Sequence, residues 1–202
     1  MSHDSGAAAV REHEQRCKII TTAERLFRQI GFQKTTVADI ARELRMSPAN
    51  IYRFFSAKSE INAAVARQLM GEVETAAEAI ATGPGSAAER LRRLVQSNHT
   101  MNAERYVVDR KLHDMVQAAI EENWPTIDEH IQRIESIFQR VIAAGMEAGE
   151  FRVGDARLSA KLVCGACIRY CHPRLMVEFA DYPEPTCDQM VDFCLAALRA
   201  GE

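Results

Sequence analysis

The chain has 202 residues, of which 47% are hydrophobic and 26% charged, and its formal net charge is −3. That length is ample for one or two packed domains, the composition is that of a soluble globular protein, and no apolar run reaches the roughly 18 residues a membrane helix needs. The six cysteines, at 17, 164, 167, 171, 187 and 194, read as reduced thiols, because the chain is neither small nor secreted in character. The start "MSHDSGAAAV" lacks a basic segment and a hydrophobic core, so no export signal is read and a cytoplasmic location is expected. The charge is uneven. Residues 11–60 carry +4 and the remainder −7, which suggests an anion-binding module joined to a body with another task.

Residues 1–10 are small and polar and read as a disordered tail. From there every periodic segment is helical. Ile19, Ala23, Leu26, Phe27 and Ile30 fall at three- and four-residue spacing, which predicts a helix over about 12–30, ended by Gly31. Thr35 or Thr36 caps a short second helix with Val37, Ile40, Ala41 and Leu44 on its apolar face. "RMS" is a turn. Ser47 suits an N-cap and Pro48 the first position of a third helix, over about 48–54. Ser56 reads as the cap of a fourth helix over 57–81. "TGPGS" at 82–86 is a joint, and further helices are predicted over 86–102, 105–121, 125–147, 155–171 and 185–200. Val108, Leu112, Met115, Val116 and Ala119 form one stripe, and Ile127, Ile131, Ile134, Phe138 and Val141 another.

Two short helices joined by a three-residue turn form a helix-turn-helix, whose second helix enters the DNA major groove in proteins that use it for recognition. The segment "GFQKTTVADIARELRMSPANIYRFFSAKSEI", residues 31–61, resembles the DNA-binding signature of TetR-family transcriptional regulators. Gly31, Thr35, Thr36, Ile40, Ala41, Ser47, Tyr52, Phe55 and Lys58 carry the match, which is clear over about residues 15–65. The resemblance implies an all-α protein with an N-terminal three-helix DNA-binding domain, residues 11–60, and a C-terminal helical ligand-binding and dimerisation domain, residues 61–202. It implies that Thr36, Tyr52 and Lys58 address phosphates. Ser47 starts the recognition helix, and Ala49, Asn50 and Arg53 occupy its variable exposed positions. Asn50 suits adenine and Arg53 suits guanine or a phosphate. Val37 is placed for a thymine methyl, and Arg45 in the turn adds charge to the rim. The same residues have a plainer reading as a small domain's core and solvated face. For Ile40, Ala41, Leu44, Ile51 and Phe55 the core reading is preferred.

The resemblance further implies a homodimer, bound to a near-palindromic double-stranded operator and released by a small-molecule inducer, with repression as the usual mode. Leu158, Leu162, Met190, Phe193, Leu195 and Leu198 on the last two long helices are the candidate dimer face, against the plainer reading that they complete the monomer's core. His99, Tyr106, His113, Trp124 and Tyr170 are candidate ligand contacts, as polar or aromatic residues within apolar stripes. "CGACIRYCH" at 164–172 raises a metal- or thiol-sensing alternative. Cys164 and Cys171 are about 10 Å apart along one helix, too far for three thiolates of a straight helix to share a zinc whose Zn–S bonds are about 2.3 Å; a pair could hold one with help from a partner helix or His172, but packing at a helix interface is the preferred reading and no metal or cofactor is expected. A helical enzyme is the remaining alternative. The sequence holds no Glu-x-x-His di-iron, His-Glu-x-x-His, Gly-x-Ser-x-Gly, P-loop or dinucleotide fingerprint.

Overall fold

The structure, a computed structural model, describes residues 3–107, 109–122, 124–182 and 184–199. Among them the chain is helical throughout, in the order α1 (His3–Ile30), α2 (Val37–Glu43), α3 (Pro48–Tyr52), α4 (Lys58–Ala81), α5 (Ala87–Asn102), a π-helical turn (Ala103–Val107), α6 (Arg110–Glu121), α7 (Pro125–Glu147), α8 (Ala156–Cys171), α9 (Pro173–Glu178) and α10 (Cys187–Leu198). The all-α architecture follows the sequence pattern. Three departures stand out, the first being that the helix predicted over 105–121 begins at Arg110, after the π-helical turn. Helix α1 begins at His3 and takes in the segment read as a tail, where Ala7, Ala8 and Ala9 are the strongest of helix formers. The segment after Cys171, read as a break, holds α9, opened by Pro173 at its first position.

Two cores divide the molecule. The first joins Ile19, Ala23 and Phe27 of α1 with Ile40 of α2, Ile51 of α3, Phe55, and Ile61, Val65 and Leu69 of α4. Phe27 and Phe55 are at most 1% exposed, and each such burial stabilises by about 2–3 kcal/mol. Leu112, Met115 and Val116 of α6 also belong to this core, so a helix of the body packs directly into the head. The second core gathers Val73, Ala77 and Ala81 of α4 with α5, α7, α8 and α10. Helix α4 thus spans both, a single rod of 24 residues and about 36 Å.

Local chemistry fixes the ends. Gly31 takes φ +91 after α1, in the left-handed region open to glycine. Ser86 and Thr186 each make a reciprocal capping box, with Glu89 and Gln189. Ser56 does not cap α4 as its sequence suggests. Ala57 stands at the N-cap with no side-chain oxygen to offer, while the Ser56 N–H and hydroxyl both donate to the Glu60 carboxylate, at 2.8 and 2.9 Å. Gly145 of α7 is required by contact: a Cβ there would lie 2.3 Å from the Phe151 ring and 2.8 Å from Ala87 Cβ.

Candidate nucleic-acid interface and internal cavity

The head presents α2, the turn and α3 on one side of the first core. Thr36 caps α2: its Oγ1 accepts from the Asp39 N–H at 3.1 Å, and the Asp39 carboxylate accepts from the Thr36 N–H at 2.9 Å and hydroxyl at 2.6 Å. Those bonds, the hydroxyl's first, and the Arg42 guanidinium at 2.6 Å hold the Asp39 carboxyl down to about 2. Arg45 in the turn sits at φ 54, a left-handed conformation that costs a non-glycine residue about 1 kcal/mol. It is exposed, and the Met46 N–H behind it closes the turn onto Ala41 O at 2.8 Å.

Ser47 caps α3, its hydroxyl oxygen accepting from the Asn50 N–H at 3.2 Å. Ile51 and Phe55 point inward at 0% and 1% exposure, whereas Tyr52 is 50% exposed. Ala49 and Arg53 are exposed and Asn50 half-buried beside them. Arg16 of α1 braces this unit from behind, donating to Phe54 O and lying 4.2 Å over the Phe55 ring. Lys58, at the start of α4, donates to Gln33 O at 3.1 Å, and its partial burial lowers its pKa. Among the described residues no carboxylate lies within ion-pair reach of Lys34, Arg45, Arg53 or Lys58, while Arg25 and Arg42 are paired within the head. The basic charge left over therefore gathers on the helix-turn-helix face. Lys34, exposed in the approach to α2, belongs with this group and went unread in the sequence, although it directly precedes the Thr35–Thr36 pair. Val37 departs from its expected role. At 7% exposure it lies in the first core, because the cap on Thr36 turns the next side chain inward.

The body encloses a cavity of about 490 Å³, walled by residues of α4 through α9. Met70, Val73, Val116, Ile134 and Phe138 are its buried apolar wall, and Asp128, Ile131, Lys161 and Ile168 its open mouth. Of the predicted ligand contacts whose side chains are described, only Trp124 borders it, with its indole N–H donating to Glu122 at 2.8 Å. His99 and Tyr170 face each other instead. His99 Nδ1 donates to Tyr170 O at 2.8 Å, the rings meet edge to face at 6.4 Å, and the Tyr170 hydroxyl donates to Pro185 O. They border a separate surface cleft with Arg169, Phe179 and Tyr182. His113 lies off the cavity wall, its Nδ1 buried without a partner among the described residues. The Tyr106 side chain falls outside the described residues. Sequence reasoning missed Asn98, Asn102 and His172 on the wall. The signal for the two asparagines was present: 98 and 102 continue the stripe of Leu91 and Val95.

The cysteines of α8 and α10 are packing residues. Burial pushes the thiols of Cys164 and Cys171 up to about 12 and that of Cys187 up to about 11, and raises those of Cys167 and Cys194. Thiols held so far above neutral pH are poor nucleophiles. Among the described residues no group of three or more His, Cys, Asp or Glu is arranged to hold a metal.

On the predicted dimer helices, Leu158, Leu162 and Phe193 are 54%, 65% and 69% exposed. Met190 is half-buried against the second core. Leu195 and Leu198, at 6% exposure each, are committed to the monomer's own core and leave no surface for a partner. Among the described residues no helix is long and apolar enough to cross a membrane.

A helix-turn-helix with a basic outer face, carried on an all-helical body, defines the architecture of a transcriptional regulator. Residues 19–65 match the family model "Bacterial regulatory proteins, tetR family", and residues 87–191 match "Tetracyclin repressor-like, C-terminal domain". The chain belongs to the TetR family of transcriptional regulators. Its fold is similar to that of a TetR/AcrR-family regulator from Thermobifida fusca (TM-score 0.67, 24% identity, 93% of this chain and 100% of that one). It is also similar to SmeT, the repressor of the Stenotrophomonas maltophilia multidrug efflux pump SmeDEF (TM-score 0.68, 19% identity, 92% and 90%). A third likeness is to Bacillus subtilis FadR in complex with stearoyl-CoA (TM-score 0.61, 17% identity, 92% and 98%). No curated protein matches the chain.

Proposed function

We propose that the protein is a ligand-responsive repressor that binds a near-palindromic operator as a homodimer and releases it when a small molecule fills the cavity. The observation that carries this reading is the sharing of helices. Met70 and Val73 of α4 and Val116 of α6 line the cavity, while Leu69 of α4 and Leu112, Met115 and Val116 of α6 stand in the head's core. Arg28 of α1 pairs with Asp109, the N-cap of α6, at 3.1 Å, and Lys111 donates to Gln29 O. A ligand that displaces α4 or α6 thereby changes the setting of the head, and it favours release to the extent that it binds the non-DNA conformation better.

On the DNA side, Tyr52 and Lys58 address phosphates, and Ala49, Asn50 and Arg53 address base edges. The uncapped start of α4 adds free backbone N–H donors beside Lys58. Ser47 keeps its hydroxyl proton to donate, and Arg45 extends the charge along the rim. Thr36 takes part by fixing the start of α2, because its hydroxyl and its N–H are both committed to Asp39. The exposed Leu158, Leu162 and Phe193 form the centre of the dimer face. The neighbours support repression and effector binding by analogy, one being a repressor and another a regulator in complex with an acyl-CoA.

The test is retention of DNA from the gene's own upstream region in a mobility-shift titration at several salt concentrations. Retention is expected, with affinity falling steeply with salt as phosphate contacts require. Tyr52→Phe and Lys58→Ala are each expected to weaken binding without unfolding the protein. Unaltered affinity in both variants contradicts the assignment of these residues.

A further inference from the structure

The inner wall of the cavity carries its polar groups in one place. Asn98 and Asn102 of α5 stand one turn apart, and the Asn102 amide nitrogen donates to Asn98 Oδ1 and to Cys171 O, both at 2.6 Å. Those two acceptors fix the orientation of the Asn102 amide. They leave the Asn102 Oδ1 as an acceptor and the Asn98 Nδ2 as a donor with no partner among the described residues. His172 adjoins them on the wall, its Nδ1 also without a partner. Burial, reinforced by Arg174, lowers the His172 pKa, so the ring is neutral at pH 7. Among the described residues no arginine borders the cavity. Its charged residues are Asp128 and Lys161, both exposed at the mouth, half-buried Glu135, and His130, whose Nδ1 is tied to Glu74 at 2.8 Å. Everything else on the inner wall is apolar.

Among the described residues neither Asn98 nor Asn102 has a charged hydrogen-bond partner, so a carboxylate or an ammonium set against them would meet no counter-ion there. Either would be buried unpaired, at a cost of several kcal/mol. An acyl-CoA would bring its phosphates to a mouth where the single Lys161 ammonium is matched by the Asp128 carboxylate. The volume corresponds to roughly 16 water-sized units, which sets the scale of the occupant.

We propose that the cavity takes a compact, uncharged, largely apolar molecule with one inner polar group that both donates and accepts a hydrogen bond, such as a hydroxyl or a primary amide. That group accepts from Asn98 Nδ2 and donates to Asn102 Oδ1, while its apolar body lies against Met70, Trp124 and Phe138. This inference rests on the reading of the cavity as the effector site.

Three probes of one skeleton test it on the full-length protein by calorimetric titration at pH 7: 1-naphthol, 1-naphthoate and 1-naphthylmethylammonium. 1-Naphthol is expected to bind about tenfold or more tightly than either ion. Asn98→Leu, which keeps the side-chain volume and removes both the donor and the Oδ1 that helps orient the Asn102 amide, is expected to weaken 1-naphthol about fivefold and to leave the ions unchanged. Equal or tighter binding of either ion overturns the inference, as does binding of none of the three. An Asn98→Leu variant that folds and binds 1-naphthol as well as the parent overturns the placement of the polar group. DNA affinity measured with and without 1-naphthol separates this from the regulatory reading. Binding of 1-naphthol without any change in DNA affinity contradicts the effector role of the cavity and leaves the ligand class standing.

Discussion

At the scale of single residues, the head is set by where hydrogen-bonding groups are already engaged. Asp39 is committed three times over, to the Thr36 N–H, the Thr36 hydroxyl and Arg42. Its carboxyl is held at about 2, below the ordinary 3.8. A depressed carboxyl contributes stability that is fully present above its unfolded value and is lost as pH falls through its folded one. Asp39→Asn is therefore expected to unfold more easily than the parent at pH 6, with the difference shrinking as pH drops from about 4 toward 2. A difference that is the same at pH 6 and pH 3, followed by circular dichroism in urea, contradicts the capping role. Arg45 illustrates the opposite situation. It holds a left-handed turn that glycine would occupy without strain, and strained positions of this kind concentrate where a side chain has work to do. Its guanidinium has no carboxylate partner among the described residues and stands at the edge of the basic face.

At the scale of elements, α4 and α6 matter most, because each belongs to two environments. Their apolar stripes were readable in the sequence, and so were the Ser47–Pro48 start of α3 and the inward turn of Ile51 and Phe55. Those features follow from local periodicity and capping chemistry, which a sequence displays directly. What periodicity does not display is which of two neighbouring helices a polar residue meets. His99 and Tyr170 were read as ligand contacts and lie off the cavity, packed edge to face with His99 donating to Tyr170 O and the Tyr170 hydroxyl to Pro185 O, while Asn102, on the continuation of an apolar stripe, turns out to border the cavity. Leu195 and Leu198 share a helix with the exposed Phe193 but face the opposite way, a distinction that depends on how α10 is rotated against α5 and α8. The same dependence on packing governs α7. Gly145 lies directly under the Phe151 ring, so Gly145→Ala is expected to cost about 1–3 kcal/mol by overpacking. Thermal unfolding of the variant checks this, and an unchanged midpoint contradicts the tight seat of Phe151.

At the scale of the whole molecule, the chain is a basic head on an acidic body, joined by α4, which runs through both cores, and by α6, which packs into the head. Reading two half-sites requires two heads, and a two-fold dimer supplies them with a spacing fixed by its geometry. Leu158, Leu162 and Phe193 keep more than half of their surface exposed in the single chain. The double variant Leu162→Asp/Phe193→Asp is expected to elute as a folded monomer where the parent elutes as a dimer, and to lose most of its operator affinity. Light scattering coupled to size-exclusion chromatography decides between the two states, and a variant that stays dimeric contradicts the assignment of α8 and α10. The central claim is that two copies of this head read a near-palindromic duplex through α3. It is tested most directly by selecting bound sequences from a pool of random DNA duplexes with the full-length protein. The expected result is a motif with two-fold symmetry whose enrichment is lost with Tyr52→Phe/Lys58→Ala and whose base preferences shift with Asn50→Ala. Failure to enrich any sequence, or enrichment of one motif equally by the parent and the Tyr52→Phe/Lys58→Ala variant, would contradict it.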